Sequence, residues 1–167
     1  CGLAVSEIGF GAATLGNLFR PVSDADARDS LVAALDAGMN YVDTAPRYGH
    51  GLSGRRVGGV IRERDDVVLS SKVGRLFRPD RALRGTAERH GFCSPMPFDQ
   101  VYDYSYDGVM RSYEDSLQRL GLAAIDILYV HDIGRMVHGD DHGRSFAQLT
   151  TGGGFRALEG LKAAGAI

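Results

Sequence analysis

The sequence has few of the features that mark secreted, membrane or nucleic-acid-binding proteins. Its 167 residues include two cysteines, too few for a disulfide framework and without the paired spacing of a zinc site. No apolar run approaches the roughly 20 residues of a membrane-spanning helix, and no signal-peptide pattern opens the sequence. The formal net charge is −2, and the basic residues are scattered rather than clustered. We therefore expect a cytoplasmic protein with free thiols at Cys1 and Cys93 and with no nucleic-acid or membrane partner.

Common phosphate-binding and metal-binding patterns are also missing. The glycines of segment 9–16 do not form the dinucleotide-binding GxGxxG, and segment 150–155 is not a phosphate loop with lysine and serine or threonine. Segment 138–142, HGDDH, offers possible metal ligands, but we expect no regular helix to fix their geometry. We predict a solvated loop there and no metal site. The first glycine-rich segment could instead let the backbone approach a ligand closely.

What the sequence does contain is a repeated alternation of short apolar runs and helix-like segments. The predicted strands are 7–13, 40–44, 66–72 and 125–131, and the predicted helices are 24–37, 54–63, 107–120 and 155–164. Ser23, Ser53 and either Ser105 or Asp107 are expected to open the first three helices. Apolar strands that alternate with helices indicate an α/β domain with a parallel sheet. A doubly wound sheet and a (β/α)8 barrel both fit this period, which does not choose between them.

Two connections in this pattern are too long to be simple turns. Residues 73–104 follow the third strand and residues 132–153 follow the fourth. Connections of this length are usually functional lids or disordered segments. Both begin at the carboxyl end of a strand, where ligands bind in either candidate fold. The organisation of the chain therefore predicts a ligand site at that edge of the sheet.

Three successive strands end on ionisable side chains that would meet at this edge. The second strand ends at Asp43 and leads to Tyr48, the third ends at Lys72, and the fourth ends at His131. A tyrosine hydroxyl is a poor proton donor or acceptor near neutral pH, but an adjacent ammonium stabilises its phenolate and a carboxylate can hold that ammonium in place. A histidine beside them can orient a carbonyl oxygen. Such a set suits a carbonyl that gains a proton as hydride arrives from a cofactor.

These motifs resemble the aldo/keto reductase family. The resemblance runs from GLAVSEIGFGAATLG through AGMNYVDTAPRYGHGLSGRRVG and VVLSSKVGR to LQRLGLAAIDILYVHD. It implies a (β/α)8 barrel in which this chain forms one piece without an internal domain boundary over residues 1–167. The site residues that it implies are Asp43, Tyr48, Lys72 and His131 for catalysis, Gly11, Ala12 and Asp43 near the nicotinamide, and Arg47 and Asp132 as substrate contacts.

The resemblance also implies the cofactor and the class of substrate. Such enzymes use NAD or NADP, and the branch that this chain resembles oxidises sugar hemiacetals or pyridoxal, so the substrate would be a small sugar, aldehyde or alcohol. Two other functions stay open, namely a reductase-like binding module without turnover and a barrel enzyme that uses Lys72 as a Schiff-base nucleophile.

The length of the chain departs from the family pattern. The sequence starts at Cys1 rather than at methionine and stops where a fifth strand is expected, so that it corresponds to the N-terminal half of a barrel, with about four of the βα units. The residues that would distinguish NAD from NADP belong to the later units. Four strands of a closed barrel leave two open edges. We therefore expect these residues alone to be unstable, to self-associate or to need pairing with a C-terminal half.

Overall fold

A parallel sheet of four strands with helices against one face organises the molecule, which is a computed structural model describing residues 2–167. The strands are β1 (Phe10–Gly11), β2 (Tyr41–Asp43), β3 (Val68–Val73), β4 (Arg75–Pro79), β5 (Glu88–Arg89), β6 (Phe92–Cys93), β7 (Phe98–Tyr102) and β8 (Ile127–Val130). The helices are α1 (Asp24–Asp36), α2 (Leu52–Ile61), α3 (Tyr106–Leu120), α4 (Arg135–His138), α5 (His142–Leu149) and α6 (Gly154–Ala163). Short 3-10 turns lie at Thr14–Gly16, Tyr48–Gly51, Arg81–Leu83 and Gly139–Asp141.

The central sheet has the order β1-β2-β3-β8, and every neighbouring pair is parallel. The register places Gly11 opposite Asp43, Asp43 opposite Ser70, and Lys72 opposite Tyr129. The carboxyl ends of all four strands therefore meet at one edge, as the alternating pattern predicts. The predicted first strand, 7–13, is longer than the two residues that pair in the structure.

Alternation along the strands buries one face of the sheet under the helices. Val42 and Leu69 join one apolar cluster with side chains from α1, α2, α3 and α6, and Val73 belongs to a second cluster beside α3 and α6. Successive side chains of a strand point to opposite faces. The neighbouring polar residues Asp43, Ser70 and Lys72 therefore share the face away from the helices.

Two of the predicted helix caps are confirmed and one is wrong. The Oγ atoms of Ser23 and Ser105 accept hydrogen bonds from backbone N–H groups at the starts of α1 and α3. Ser53, however, lies inside α2, which begins after Gly51. The hydroxyl of Ser53 donates instead to the carbonyl oxygen of Ala12 at 2.7 Å and lies 2.9 Å from the hydroxyl of Thr44. This serine ties the helix to the ends of β1 and β2 rather than opening it.

The two long connections are ordered, so they are not the disordered segments that were one of the two expectations. Within 73–104, β4 pairs antiparallel with β7, and β5 pairs with β6. The second connection, 132–153, contains α4 and α5. Local pairing of this kind satisfies backbone groups that a structureless loop would leave to water. The first connection is thus a hairpin that stands over the edge of the sheet where the strands end.

Candidate active site

The Lys72 ammonium and the Asp43 carboxylate form the centre of the predicted site. Nζ of Lys72 donates to both carboxylate oxygens of Asp43, at 2.7 and 2.6 Å, and to the carbonyl oxygen of Thr44 at 3.1 Å. Ser70 donates to Oδ1 of Asp43 at 2.7 Å and itself accepts from the hydroxyl of Tyr41 at 3.0 Å. All three N–H bonds of the ammonium have acceptors, so its position beside Asp43 is well defined.

Tyr48 reaches the site from a tight turn whose backbone presses against another segment. Its ring centroid lies 5.0 Å from Nζ of Lys72. The turn continues through Gly49, which has a φ of 63°. A Cβ atom at Gly16 would lie only 2.6 Å from the backbone nitrogen of Gly49, so neither position has room for a side chain. Gly16, the last glycine of segment 9–16, therefore lets its loop pack against the loop that carries Tyr48, a role that sequence analysis did not foresee.

His131 follows β8 and completes the set of four. Its ring meets the ring of Tyr48 edge-on, with centroids 6.1 Å apart, and its side chain is 5% exposed. Burial, together with the nearby cations of Arg75, Lys72 and Arg47, lowers the pKa of His131 to about 3. The imidazole is therefore neutral at physiological pH. The structure thus brings together all four residues that the sequence singled out.

The structure adds Arg75, a residue that sequence analysis missed. Its side chain is 1% exposed and forms an ion pair with Oδ2 of Asp132. Gly74, with a φ of 97°, makes the turn that returns the chain to the site after β3, and a Cβ atom there would lie 2.2 Å from the ring of Tyr104. The sequence did contain a signal for this residue, namely an arginine directly after Gly74, the glycine that follows the strand with Lys72. Asp132, predicted as a substrate contact, has a carboxylate that is already paired but remains 46% exposed.

The other predicted contacts lie around the same edge. Arg47 is half-buried and close enough for its charge to lower the pKa of His131. Gly11 is exposed, and a Cβ atom there would meet no atom of residues 2–167 within 4 Å. Ala12 is buried, its N–H donates to the carbonyl oxygen of Asp43 at 2.8 Å, and its own carbonyl accepts from Ser53. Gly11 therefore offers an open backbone surface beside Asp43, whereas Ala12 fixes that surface in place.

The histidines of segment 138–142 make protein contacts within a helical region, not within the solvated loop that we predicted. Nε2 of His138 lies 2.9 Å from the hydroxyl of Tyr104, and Nδ1 of His142 lies 2.9 Å from the carbonyl oxygen of Ile133. Within the described part of the chain, residues 2–167, no group of three or more histidine, cysteine, aspartate or glutamate side chains is placed to hold a metal ion. None of the helices of this same stretch is both long and apolar enough to span a bilayer.

The model of the aldo/keto reductase family matches residues 7–167. The chain belongs to the aldo/keto reductase family. Over 99% of its length it is 49% identical to the pyridoxal 4-dehydrogenase of Microbacterium luteolum and 42% identical to the D-threo-aldose 1-dehydrogenase of a Pseudomonas species. It covers 51% and 49% of these two proteins, so that this aldo/keto reductase chain spans about half the length of the curated relatives it matches.

Solved structures of the family share the fold. A putative aldo-keto reductase from Pseudomonas aeruginosa is 33% identical, with a TM-score of 0.70 over 99% of this chain and 54% of its own. An aldo-keto reductase from Bacillus halodurans, solved in its holo form, is 30% identical, with a TM-score of 0.61 over 89% of this chain and 43% of its own. The predicted α/β fold of the (β/α)8 barrel family is confirmed. The four parallel strands of this aldo/keto reductase chain match part of such a barrel, since the chain aligns with 43–54% of these two solved structures.

Proposed function

We propose that this aldo/keto reductase is a NAD(P)-dependent oxidoreductase that interconverts an alcohol or sugar hemiacetal with a carbonyl compound or lactone. One observation carries the proposal: the Lys72 ammonium is held by Asp43 at 2.6 Å, and the ring of Tyr48 lies 5.0 Å from the same nitrogen. A fixed cation this close to the ring favours the phenolate over the neutral phenol. The named activities of the relatives, on aldoses and on pyridoxal, support a small hydroxylated or aldehyde substrate.

In this proposal each of the four side chains has a separate task. Tyr48 accepts the proton of the substrate hydroxyl during oxidation and returns one to the carbonyl oxygen during reduction. Lys72 stabilises the phenolate, and Asp43 keeps the ammonium from moving towards the substrate. His131, which is neutral, donates a hydrogen bond to the reacting oxygen and holds it near Tyr48. Each oxidation releases one proton, because the one that Tyr48 takes from the hydroxyl passes to solvent before the next turnover, and each reduction takes one proton back from solvent.

The residues present fit a nicotinamide at this edge of the sheet. Gly11 leaves an open backbone surface opposite Asp43 in the register of β1 and β2. A flat ring could lie there without meeting a side chain from that position. Gly11, Ala12 and Asp43 are thus the residues of this chain that would hold the reactive end of the cofactor. The bound nicotinamide would supply or accept the hydride, which no protein side chain can do.

The contacts of Lys72 argue against the Schiff-base alternative. A nucleophilic lysine needs a neutral amine whose lone pair faces the substrate carbonyl. Here the three N–H bonds of the ammonium are directed at two carboxylate oxygens and one carbonyl oxygen. Borohydride treatment in the presence of pyridoxal should therefore leave no covalent adduct on Lys72, and such an adduct would overturn the assignment.

The decisive experiment is a spectrophotometric assay of NADH or NADPH formation. L-fucose, L-galactose and pyridoxal are each tested with NAD and with NADP, using this chain and an extended chain of the same length as its relatives. We expect turnover in the extended chain and a loss of roughly 10²–10⁴-fold in Tyr48→Phe, the usual contribution of a general acid or base.

Tyr106→Phe is the matched control, because that tyrosine lies at the start of α3 and is 36% exposed. It should keep wild-type turnover. A folded extended chain that binds NAD or NADP but turns over none of these substrates would favour the binding-module alternative.

A further inference from the structure

We propose that Arg75 is a positioning residue that acts through Asp132 to keep His131 a neutral hydrogen-bond donor in the site. The inference rests on the function proposed above, since it concerns how His131 is prepared for that reaction. It is carried by one shared atom: Oδ2 of Asp132 pairs with Nη2 of Arg75 and lies 3.5 Å from Nε2 of His131.

Arg75 is held as a fixed cation behind the site. Its side chain is 1% exposed, Nη1 donates to the side-chain oxygen of Gln100 at 3.2 Å, and its guanidinium lies 5.0 Å from the ring centroid of Tyr102. A buried guanidinium is costly unless it is paired. Asp132 provides that pairing, and the contacts from β7 fix the direction in which the guanidinium faces.

The ion pair with Arg75 determines how Asp132 affects the protonation of His131. A carboxylate 3.5 Å from an imidazole normally stabilises the protonated ring. Here the negative charge of Asp132 is compensated by its ion pair with Arg75. The charged groups that lower the pKa of His131 are the cations Arg75, Lys72 and Arg47. Together with burial, this arrangement keeps the ring neutral.

The neighbouring residues show why a neutral ring is needed. The ring of Tyr48 touches His131 edge-on, the hydroxyl of Tyr104 donates to the carbonyl oxygen of His131 at 2.8 Å, and Nδ1 of His131 is buried without a hydrogen-bond partner in residues 2–167. A protonated ring would need a partner at both nitrogens. It would also place a second cation beside Lys72 and a second proton donor beside Tyr48. With Arg75 keeping the ring neutral, Tyr48 alone transfers the proton, and His131 only orients the reacting oxygen.

The position of Arg75 at the start of β4 links the hairpin to the site. Arg75 begins β4, and Gln100 and Tyr102 lie in β7. The contacts of Arg75 with these two side chains therefore depend on the antiparallel pairing of β4 and β7. Gln100 also lies 3.3 Å from Nε2 of His50, a second buried histidine. The hairpin therefore connects the end of β8 to the loop that carries Tyr48.

The test is the ionisation state of His131, read from the ¹⁵N chemical shifts of its ring in the extended chain between pH 4.5 and 8. The wild-type ring should stay neutral down to pH 5. In Arg75→Gln the uncompensated carboxylate should raise the midpoint by about two pH units or more, which brings it into the measured range. The double variant Arg75→Gln/Asp132→Asn removes both charges and should return the ring to the neutral form at pH 5. Arg75→Lys keeps the charge and should resemble the wild type.

Arg75→Met provides a second removal of the charge, in case the glutamine variant does not fold. Asp132 is 46% exposed, so its carboxylate stays hydrated when Arg75 is removed, which favours folding of either variant. A ring that stays neutral throughout this pH range in a folded Arg75→Gln or Arg75→Met protein would overturn the proposal, as would a raised midpoint that persists in the double variant. The chemical shifts are measured without substrate or cofactor. A failure of the proposed oxidoreductase activity would therefore appear in the assay and not in this titration.

Discussion

The two faces of the central sheet use the same strands for different purposes. On the helix side, Val42, Leu69 and Val73 are at most 2% exposed and belong to the apolar clusters beneath the helices. On the other side, Asp43 and Lys72 are linked by charge-assisted hydrogen bonds of 2.6–2.7 Å. Because side chains alternate along a strand, each strand stabilises the fold with one set of residues and presents the candidate site with the other. Replacements on the two faces should therefore fail in different ways.

The largest effect is expected from Lys72→Met on the site face. The change removes the cation that would stabilise the Tyr48 phenolate and leaves Asp43 with only Ser70 and solvent as partners. We expect kcat in the extended chain to fall roughly 10²–10⁴-fold while the circular dichroism spectrum at 25 °C stays that of a folded protein. Lys162→Met, in the exposed last turn of α6, is the matched control and should keep its activity.

The opposite face should show the reverse pattern. Leu69→Ala removes a side chain that is 2% exposed, and such truncations cost about 2–5 kcal/mol of unfolding free energy. Urea denaturation measures this loss, and the protein that remains folded should keep most of its kcat. A Leu69→Ala protein of unchanged stability, or one that is folded but inactive, would show that the two faces are not separate.

The pH dependence of the free energy of unfolding also distinguishes the two faces, because two buried histidines make the polar side sensitive to acid. Burial lowers the pKa of His131 to about 3 and that of His50 to about 4, from 6.5. Below pH 6.5 the unfolded chain binds protons at these residues that the folded protein does not, so stability falls as the pH drops through this window. At pH 5 the loss is about 2 kcal/mol for each histidine.

Urea denaturation at pH 7.5, 6 and 5 measures this loss. His50→Asn should remove about half of the histidine contribution to the slope, and above pH 7 the slope contributed by both histidines should vanish. An identical pH dependence in His50→Asn and in the wild type would show that His50 is not held neutral.

The sequence predicted the parallel sheet and the four clustered residues because both depend on local periodicity. Strands that alternate with helices must be parallel and must end at one edge, which places Asp43, Lys72 and His131 together without further information. Arg75 and the hairpin were missed because they depend on pairing between residues about 25 apart and on the turn at Gly74, for which periodicity gives no signal. The cap at Ser53 failed for a similar reason, since its hydroxyl bonds instead to Ala12 and Thr44, directly after β1 and β2. Self-association of this chain through the open edges stays a prediction.

The smallest effect should come from Ser70→Ala, which tests how finely the site face is tuned. Ser70 is fully buried and relays a hydrogen bond from the hydroxyl of Tyr41 to Oδ1 of Asp43. The same carboxylate keeps two hydrogen bonds from Lys72, so the variant weakens its position without releasing the ammonium. A net loss of about 1 kcal/mol, typical of one hydrogen bond, corresponds to a fall in kcat of about fivefold. Ser71→Ala, on the helix side of the same strand, should leave kcat unchanged. If both variants had the same kcat, the hydrogen bond from Ser70 to Asp43 would contribute nothing to catalysis. Lys72 alone would then fix the position of the carboxylate.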